Sequence, residues 1–352
     1  MARLLVFALA VLALWAPAFG CSSGGGSSGS SSSGGGGGGG GGGSTPLILP
    51  SQGDWVDRGS TGIEASGVMG DWDFRIDGAI SPVDVVKRGG VYYLYYIGAD
   101  GNRTGSSGPR HRALGVATST NGTDFVPHTS NPIVENLPNN GEEEGVFSGA
   151  IYIDDGGQTV LYYSAMDETS STTVSADARR STSSNGISFA PVPGPIVLDH
   201  DDSSVWNSGD ELYPIGVFRD GSTVNLYYSS QGSVTDWGLG MATGSSSNFT
   251  SSQSLIIPSN SDDEIIGGGA VIQDTADTFL LWTLRDFSER VLEVREVPTA
   301  DPSDIGNPIQ SYTAFPNVQH FTVLLDEDAG LWFLYIAELS FIKVYTADVM
   351  RM

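Results

Sequence analysis

After residue 50 the chain alternates short apolar runs with clusters of Gly, Asn, Asp and Ser, and an amphipathic helical period is almost absent. Runs of this kind, rich in Tyr, Val, Ile, Leu and Trp and bounded by turn formers, predict strands and turns. The clearest is VYYLYYI (91–97), with counterparts TVLYYSA (159–165), VNLYYSS (224–230), FLLWTL (279–284) and LWFLYIA (331–337). Leu94, Leu161, Leu226, Leu280 and Leu334 sit at equivalent places in these five runs, at intervals of 67, 65, 54 and 54 residues. Each interval has room for about four short strands.

The order inside each unit also repeats. An apolar strand (SPVDVV, SGAIYI, YPIGVF, GAVIQD, HFTVLL) precedes a turn and the aromatic strand, and a third strand such as ALGVATS, GLGMATG, VLEVREV or FIKVYTA follows. Two stretches are nearly the same sentence: TSTNGTDF from Thr118 and TSSNGISF from Thr182. They predict the hairpin between third and fourth strands, with Asn-Gly as a two-residue turn and the Phe buried. Four-stranded antiparallel units repeated five times predict an all-β, five-bladed β-propeller. The segment from Leu47 to Gly67 is expected to close the ring as the outer strand of the fifth blade.

The N-terminus is of another character. Residues 1–20, MARLLVFALAVLALWAPAFG, have one basic residue, Arg3, before an apolar run that ends in small residues, which is a secretory signal pattern. Cys21 is the only cysteine in 352 residues, so disulfides are excluded, and Ala-Phe-Gly-Cys resembles the lipobox of bacterial lipoproteins. Lipid attachment at Cys21 is the expectation. The rest of the segment 21–45 is almost entirely Gly and Ser and reads as a flexible tether with a root-mean-square reach of about 25–29 Å. The folded domain is then 46–352. The membrane is a partner through the anchor alone, and the expected place is the cell envelope or cell surface, otherwise extracellular or periplasmic. With 41 acidic against 16 basic residues, a formal net charge of −25, the chain repels phosphate backbones, so nucleic acid is excluded as a partner.

SPVDVVKRGGVYYLYYIG with LGVATSTNGTDF, and QHFTVLLDEDAGLWFLY in the fifth unit, resemble the five-bladed propeller superfamily of glycoside hydrolases, which includes the arabinanases and β-xylosidases, the invertases and levansucrases, and the mannosyl phosphorylases. The similarity runs over most of 68–347. Six-bladed sialidases are disfavoured, because their Asp-boxes separate the acidic position from the glycine, whereas Asn121-Gly122 and Asn185-Gly186 are adjacent. The resemblance implies a glycosidase whose three axial carboxylates open the first strands of blades one, two and three. Here those aligned places hold Ser81, Ser148 and Tyr213, and Ser81-Pro82 stands where arabinanase-like members have Asp-Pro. His320 matches the family histidine near the axis. An axial Ca2+ near it is the one cofactor left open, and no motif specifies it.

Carboxylates do precede the first strand of four blades: Asp71, Asp73 and Asp77; Glu142, Glu143 and Glu144; Asp210 and Glu211; Asp262, Asp263 and Glu264. In a propeller these connections reach one end of the axial channel, so an acidic mouth is expected. Glycosidic cleavage needs one protonated and one ionised carboxyl, and crowding drives their pKa values apart. Asp77, Glu144 and Glu211 are the candidate catalytic acids. Asp73, Trp72, Ser81, Ser148, Tyr213, Trp237, Asp263, Glu264 and His320 are candidate substrate-binding residues, because aromatic faces stack on sugar rings while carboxylates hold hydroxyls. Trp55 and Trp206 belong to the same aromatic set. Asp199-His200-Asp201-Asp202 resembles a divalent-cation site loosely. Two functions follow: a glycoside hydrolase acting on an oligo- or polysaccharide, or a non-catalytic glycan-binding propeller that has lost the family's acids.

Overall fold

The computed structural model describes residues 22–23 and 45–351, apart from 69–70, 75–79, 100–111, 136–144, 171–172, 201–210, 232–236, 252–255, 258–264, 286–289, 316–317, 319 and 339. It is a five-bladed β-propeller, with one short 3-10 turn among the described residues, at Gln52–Asp54. Blade I comprises Ser81–Arg88, Val91–Ala99, Arg112–Ser119 and Val126–Pro127; blade II comprises Gly145–Ile153, Thr159–Ser170, Thr173–Ser183 and Ile196–Leu198. Blade III is Leu212–Asp220, Thr223–Gln231, Trp237–Ser245 and Asn248–Ser251; blade IV is Ile265–Gln273, Thr278–Arg285, Val291–Pro298 and Gln310–Tyr312. Phe321–Asp326, Leu331–Glu338 and Phe341–Asp348 form blade V, whose outer strand is the N-terminal Val56–Glu64, antiparallel to Phe341–Asp348. The ring is therefore closed by the chain's own beginning, as the sequence predicts. Leu47–Ile48 pairs in addition with Met350–Arg351. Two linker residues, Ser22–Ser23, lie parallel to Gly216 and Val217.

The five aligned leucines are equivalent in three dimensions. Leu94, Leu161, Leu226, Leu280 and Leu334 pair across to Val85, Ile151, Val217, Ile272 and Val323 on the inner strands. All five are buried, because successive residues of each aromatic strand face opposite neighbouring blades. In blade I, Leu94 and Tyr96 pack towards blade V with Phe333 and Tyr335, whereas Tyr95 and Ile97 pack towards blade II with Ile151 and Tyr163. The hydrophobic core thus lies between blades. Inner strands carry small residues where they crowd the axis: a Cβ on Gly216 would lie 2.8 Å from Val271 of the next inner strand.

The repeated Asn-Gly hairpins depart from the two-residue turn expected of them. Connections 120–125 and 184–195 separate third and fourth strands. Only Gly122 and Gly186 take positive φ, 76° and 77°. Asn121 Oδ1 accepts the amides of Thr123 (3.0 Å) and Asp124 (2.9 Å), and Asn185 Oδ1 accepts those of Ile187 (2.9 Å) and Ser188 (2.8 Å). The asparagine is retained for its side-chain carbonyl, which stands in for a backbone acceptor. Phe125 and Phe189 are buried as expected.

Candidate functional site

Inner strands begin, second strands end and third strands begin at one end of the ring, its mouth. Three consecutive blades meet there. The Arg112 guanidinium, at the start of blade I's third strand, lies 3.8 Å from the centroid of Phe147, and Phe147 stands 6.3 Å from Tyr213 at an interplanar angle of 40°. All three side chains are buried. Local backbone explains the approach: Arg112 and Gly145 form a parallel bridge between blades I and II. Gly145 has φ +93°, and a Cβ there would fall 1.8 Å from the Arg112 carbonyl oxygen, so only glycine permits it. Glu211 is half-buried two residues before Tyr213, and its backbone bridges Ala176 of blade II. Stacked on an aromatic face, the arginine is a fixed, buried cation at the junction of blades I and II.

Ser148 is fully buried, and its Oγ donates to Ser164 Oγ (3.1 Å), which also accepts the Ser148 amide (2.9 Å). That hydroxyl is committed inside blade II. Ser81 is buried at the head of blade I. His320 is buried beside blade V, with its carbonyl accepting the Ala337 amide at 3.0 Å. Among the described residues no group of three ligating side chains forms around His320, so no metal chemistry is derived there.

Trp72 is half-buried and packs on blade I, 5.4 Å from Tyr96. A Cβ on Gly115 would meet its ring at 2.4 Å and one on Gly98 at 2.8 Å, so the two glycines make its seat. One face of Trp72 is thereby spent on packing. Asp73 follows it, and burial first, then the neighbouring Asp71 charge, push its carboxyl above the usual range against hydrogen bonds from its own amide and Ser66. Trp55 is not at the mouth: it fills the core between blades IV and V, 6.4 Å from Trp282 and 6.2 Å from Tyr312. Trp237 begins the third strand of blade III. Cys21, Asp77, Glu142, Glu143, Glu144, Trp206, Asp210, Asp262, Asp263 and Glu264 lie outside the described residues.

Sequence reasoning missed Arg112 and Phe147. Phe147 adjoins Ser148, the aligned place in blade II, and Arg112 opens a third strand, so both were within reach of the alignment. A separate cavity of about 550 Å³ opens at the opposite end of the ring, among Tyr152, Phe218, Arg219, Gln273, Asp274 and Arg351. Its acids are already paired, two of them with the cavity's own arginines. Asp155 pairs with Arg219 (2.6 Å), Glu327 with Arg351, and Asp274 accepts the Leu47 amide (2.6 Å). The mouth, where three blades combine aromatic, cationic and acidic groups, is the better candidate.

No family model and no curated protein matches the chain. Solved structures do. A glycosyl hydrolase from Bacteroides ovatus has a TM-score of 0.57 at 14% identity, over 86% of this chain and 96% of its own. A family 117 glycoside hydrolase from Zobellia galactanivorans has 0.57 at 14%, over 84% and 90%. The β-1,2-mannobiose phosphorylase from Listeria innocua has 0.58 at 12%, over 82% and 94%. The fold is shared with glycoside hydrolases. At these identities the likeness establishes architecture, and the chemistry has to be argued from the residues at the mouth.

Proposed function

We propose that the protein is a glycosidase acting on an oligo- or polysaccharide outside the cytoplasm, with its site at the mouth of the ring. The observation that carries this reading is the meeting of Arg112, Phe147 and Tyr213 from three blades, with Glu211 two residues before the tyrosine. An arginine, two aromatic rings and a half-buried carboxylate, brought together from three blades, are the residue types that hold a sugar's apolar face and hydroxyl edge. Shared architecture with a glycosyl hydrolase, a family 117 glycoside hydrolase and a mannobiose phosphorylase supports the same substrate class. Asp77, Glu144 and Glu211 are the proposed acids. Cys21, lipid-modified after signal cleavage, is the proposed anchor, with the Gly/Ser run as tether.

A second reading has its own support. Ser81 and Ser148 stand where the resembling family has acids, and Ser148 is hydrogen-bonded into blade II, as expected of a glycan-binding propeller without catalysis. One screen separates the two: arabino-, xylo-, fructo-, manno- and galacto-configured glycans, with released reducing sugar and bound glycan measured together. A hydrolase releases sugar, and Asp77→Asn or Glu211→Gln lowers kcat by about 10²–10⁴ with the melting temperature unchanged. Binding without release, indifferent to both substitutions, establishes the second reading.

A further inference from the structure

Asp177 lies on the third strand of blade II, and Asp199 with His200 directly follows that blade's outer strand, Ile196–Leu198. The two segments converge. One ligating atom from each of the three side chains falls within 4.8 Å of the others. His200 Nδ1 is 2.7 Å from Asp177 Oδ1 and 3.9 Å from Asp199 Oδ1, and the His200 amide also donates to Asp177 Oδ1 at 3.2 Å. Asp177 and His200 side chains are only 14% and 18% exposed, so strand and backbone fix their positions. Arg179 approaches the other Asp177 oxygen, Oδ2, at 4.0 Å, and its Nη1 donates to the Gly194 carbonyl.

We propose that Asp177, Asp199 and His200 form a binding site for a first-row divalent transition-metal ion, of which Zn2+ is the probe. Tetrahedral bonds of about 2.0–2.2 Å place neighbouring ligand atoms about 3.3–3.6 Å apart, and the two His200 separations, 2.7 and 3.9 Å, lie on either side of that range. The imidazole decides the class. Ca2+ and Mg2+ take oxygen sets, whereas one nitrogen with two carboxylates suits Zn2+ and its neighbours. An ion binds the deprotonated imidazole nitrogen and carboxylate, so any proton between His200 Nδ1 and Asp177 Oδ1 leaves to solvent on binding. Ala176, beside Asp177, bridges Glu211, so an ion here braces the strand that carries Glu211 and Tyr213 into the mouth. The site stands apart from the glycan reading and survives that reading's failure.

The test is Zn2+ binding to the untagged full chain, by titration calorimetry and by metal analysis after gel filtration. One saturable equivalent is expected. His200→Gln and Asp177→Asn should weaken it at least about tenfold, His128→Ala should leave it intact, and a hundredfold excess of Ca2+ should not displace it. Melting curves in EDTA check that the variants fold as the parent does. The proposal is overturned by the absence of a saturable equivalent, by equal binding in His200→Gln, or by displacement with Ca2+.

Discussion

The Tyr95 hydroxyl donates to the carbonyl of Gly186 at 2.8 Å, tying the second strand of blade I to the Asn-Gly loop of blade II. The relationship travels round the ring. Tyr162 reaches Ser246 (2.8 Å), Tyr227 reaches Pro302 (2.6 Å), and Tyr335 reaches Gly122 (2.8 Å), each on the connection between third and fourth strands of the following blade. At the boundary of blades IV and V the equivalent residue, Leu281, has no hydroxyl, and blade V has no such connection because its outer strand comes from the N-terminus. There Tyr312 donates to Pro50 at 2.8 Å, on the incoming N-terminal segment. Tyr95→Phe leaves a carbonyl without its donor and should cost about 1–3 kcal/mol, read as a lower urea midpoint with an unchanged slope. A loss below a few tenths of a kcal/mol would show that the hydroxyl is a passenger on a packed ring.

Gly122 combines a backbone requirement with a packing one. Its φ is +76°, and a Cβ would stand 2.7 Å from the Phe333 ring of blade V. Gly157 has the same φ with nothing within 4 Å. Gly157→Ala should therefore cost only the left-handed conformation, roughly 1–2 kcal/mol. Gly122→Ala should cost clearly more, since Phe333 must move. Thermal melts of the two variants side by side make the comparison, and equal losses would mean that the blade I–V contact yields without strain.

The architecture was legible because its signals are local: the period of two in each aromatic strand, the Asn-Gly loops and the recurrence of one leucine. What escaped depends on neighbouring strands. Asp84 reads as one polar residue in an apolar strand, but a bulge between Pro82 and Asp84 brings its buried carboxylate to the amides of Val85 and Ile151, both at 2.6 Å. Nothing in SPVDVV announces a partner 67 residues away. The stack of Arg112, Phe147 and Tyr213 likewise exists only because blades I, II and III are adjacent. Trp55 shows the reverse error, since nearness in sequence to the candidate loops placed it at the mouth, while ring closure buries it between blades IV and V.

Closure itself is testable. Val56–Glu64 fixes the last blade to the first segment of the chain: Thr61 Oγ1 donates to the Ile342 carbonyl (2.9 Å), Ile63 is fully buried, and Lys343 pairs with Asp57 (2.8 Å). A chain starting at Gly67 exposes the edge of Phe341–Asp348 and the apolar face beneath it. It should melt far below the parent or without a cooperative transition. Ile63→Ala, which keeps the strand, should cost about 2–5 kcal/mol. A truncated chain with the parent's melting temperature would show that blade V is complete with three strands.

The junction of blades V and I also sets how the fold responds to acid. Asp326 is buried at the end of its inner strand, where Lys87 Nζ contacts Oδ1 at 2.8 Å and Oδ2 at 2.7 Å, and the Tyr92 hydroxyl donates to Oδ2. Burial pushes this carboxyl up, but Lys87, then Tyr92 and the Ala329 amide, outweigh it and hold the pKa below the ordinary 3.8. A carboxyl lowered on folding stabilises above its unfolded pKa, and the contribution disappears as pH falls through the folded value. Asp326→Asn should therefore be destabilised at neutral pH, where Lys87 loses its partner charge. The gap to the parent should close as pH drops below about 4. Chemical unfolding of both proteins across that window decides the matter: a gap that stays constant with pH would assign the loss to altered packing and not to the ionised carboxylate.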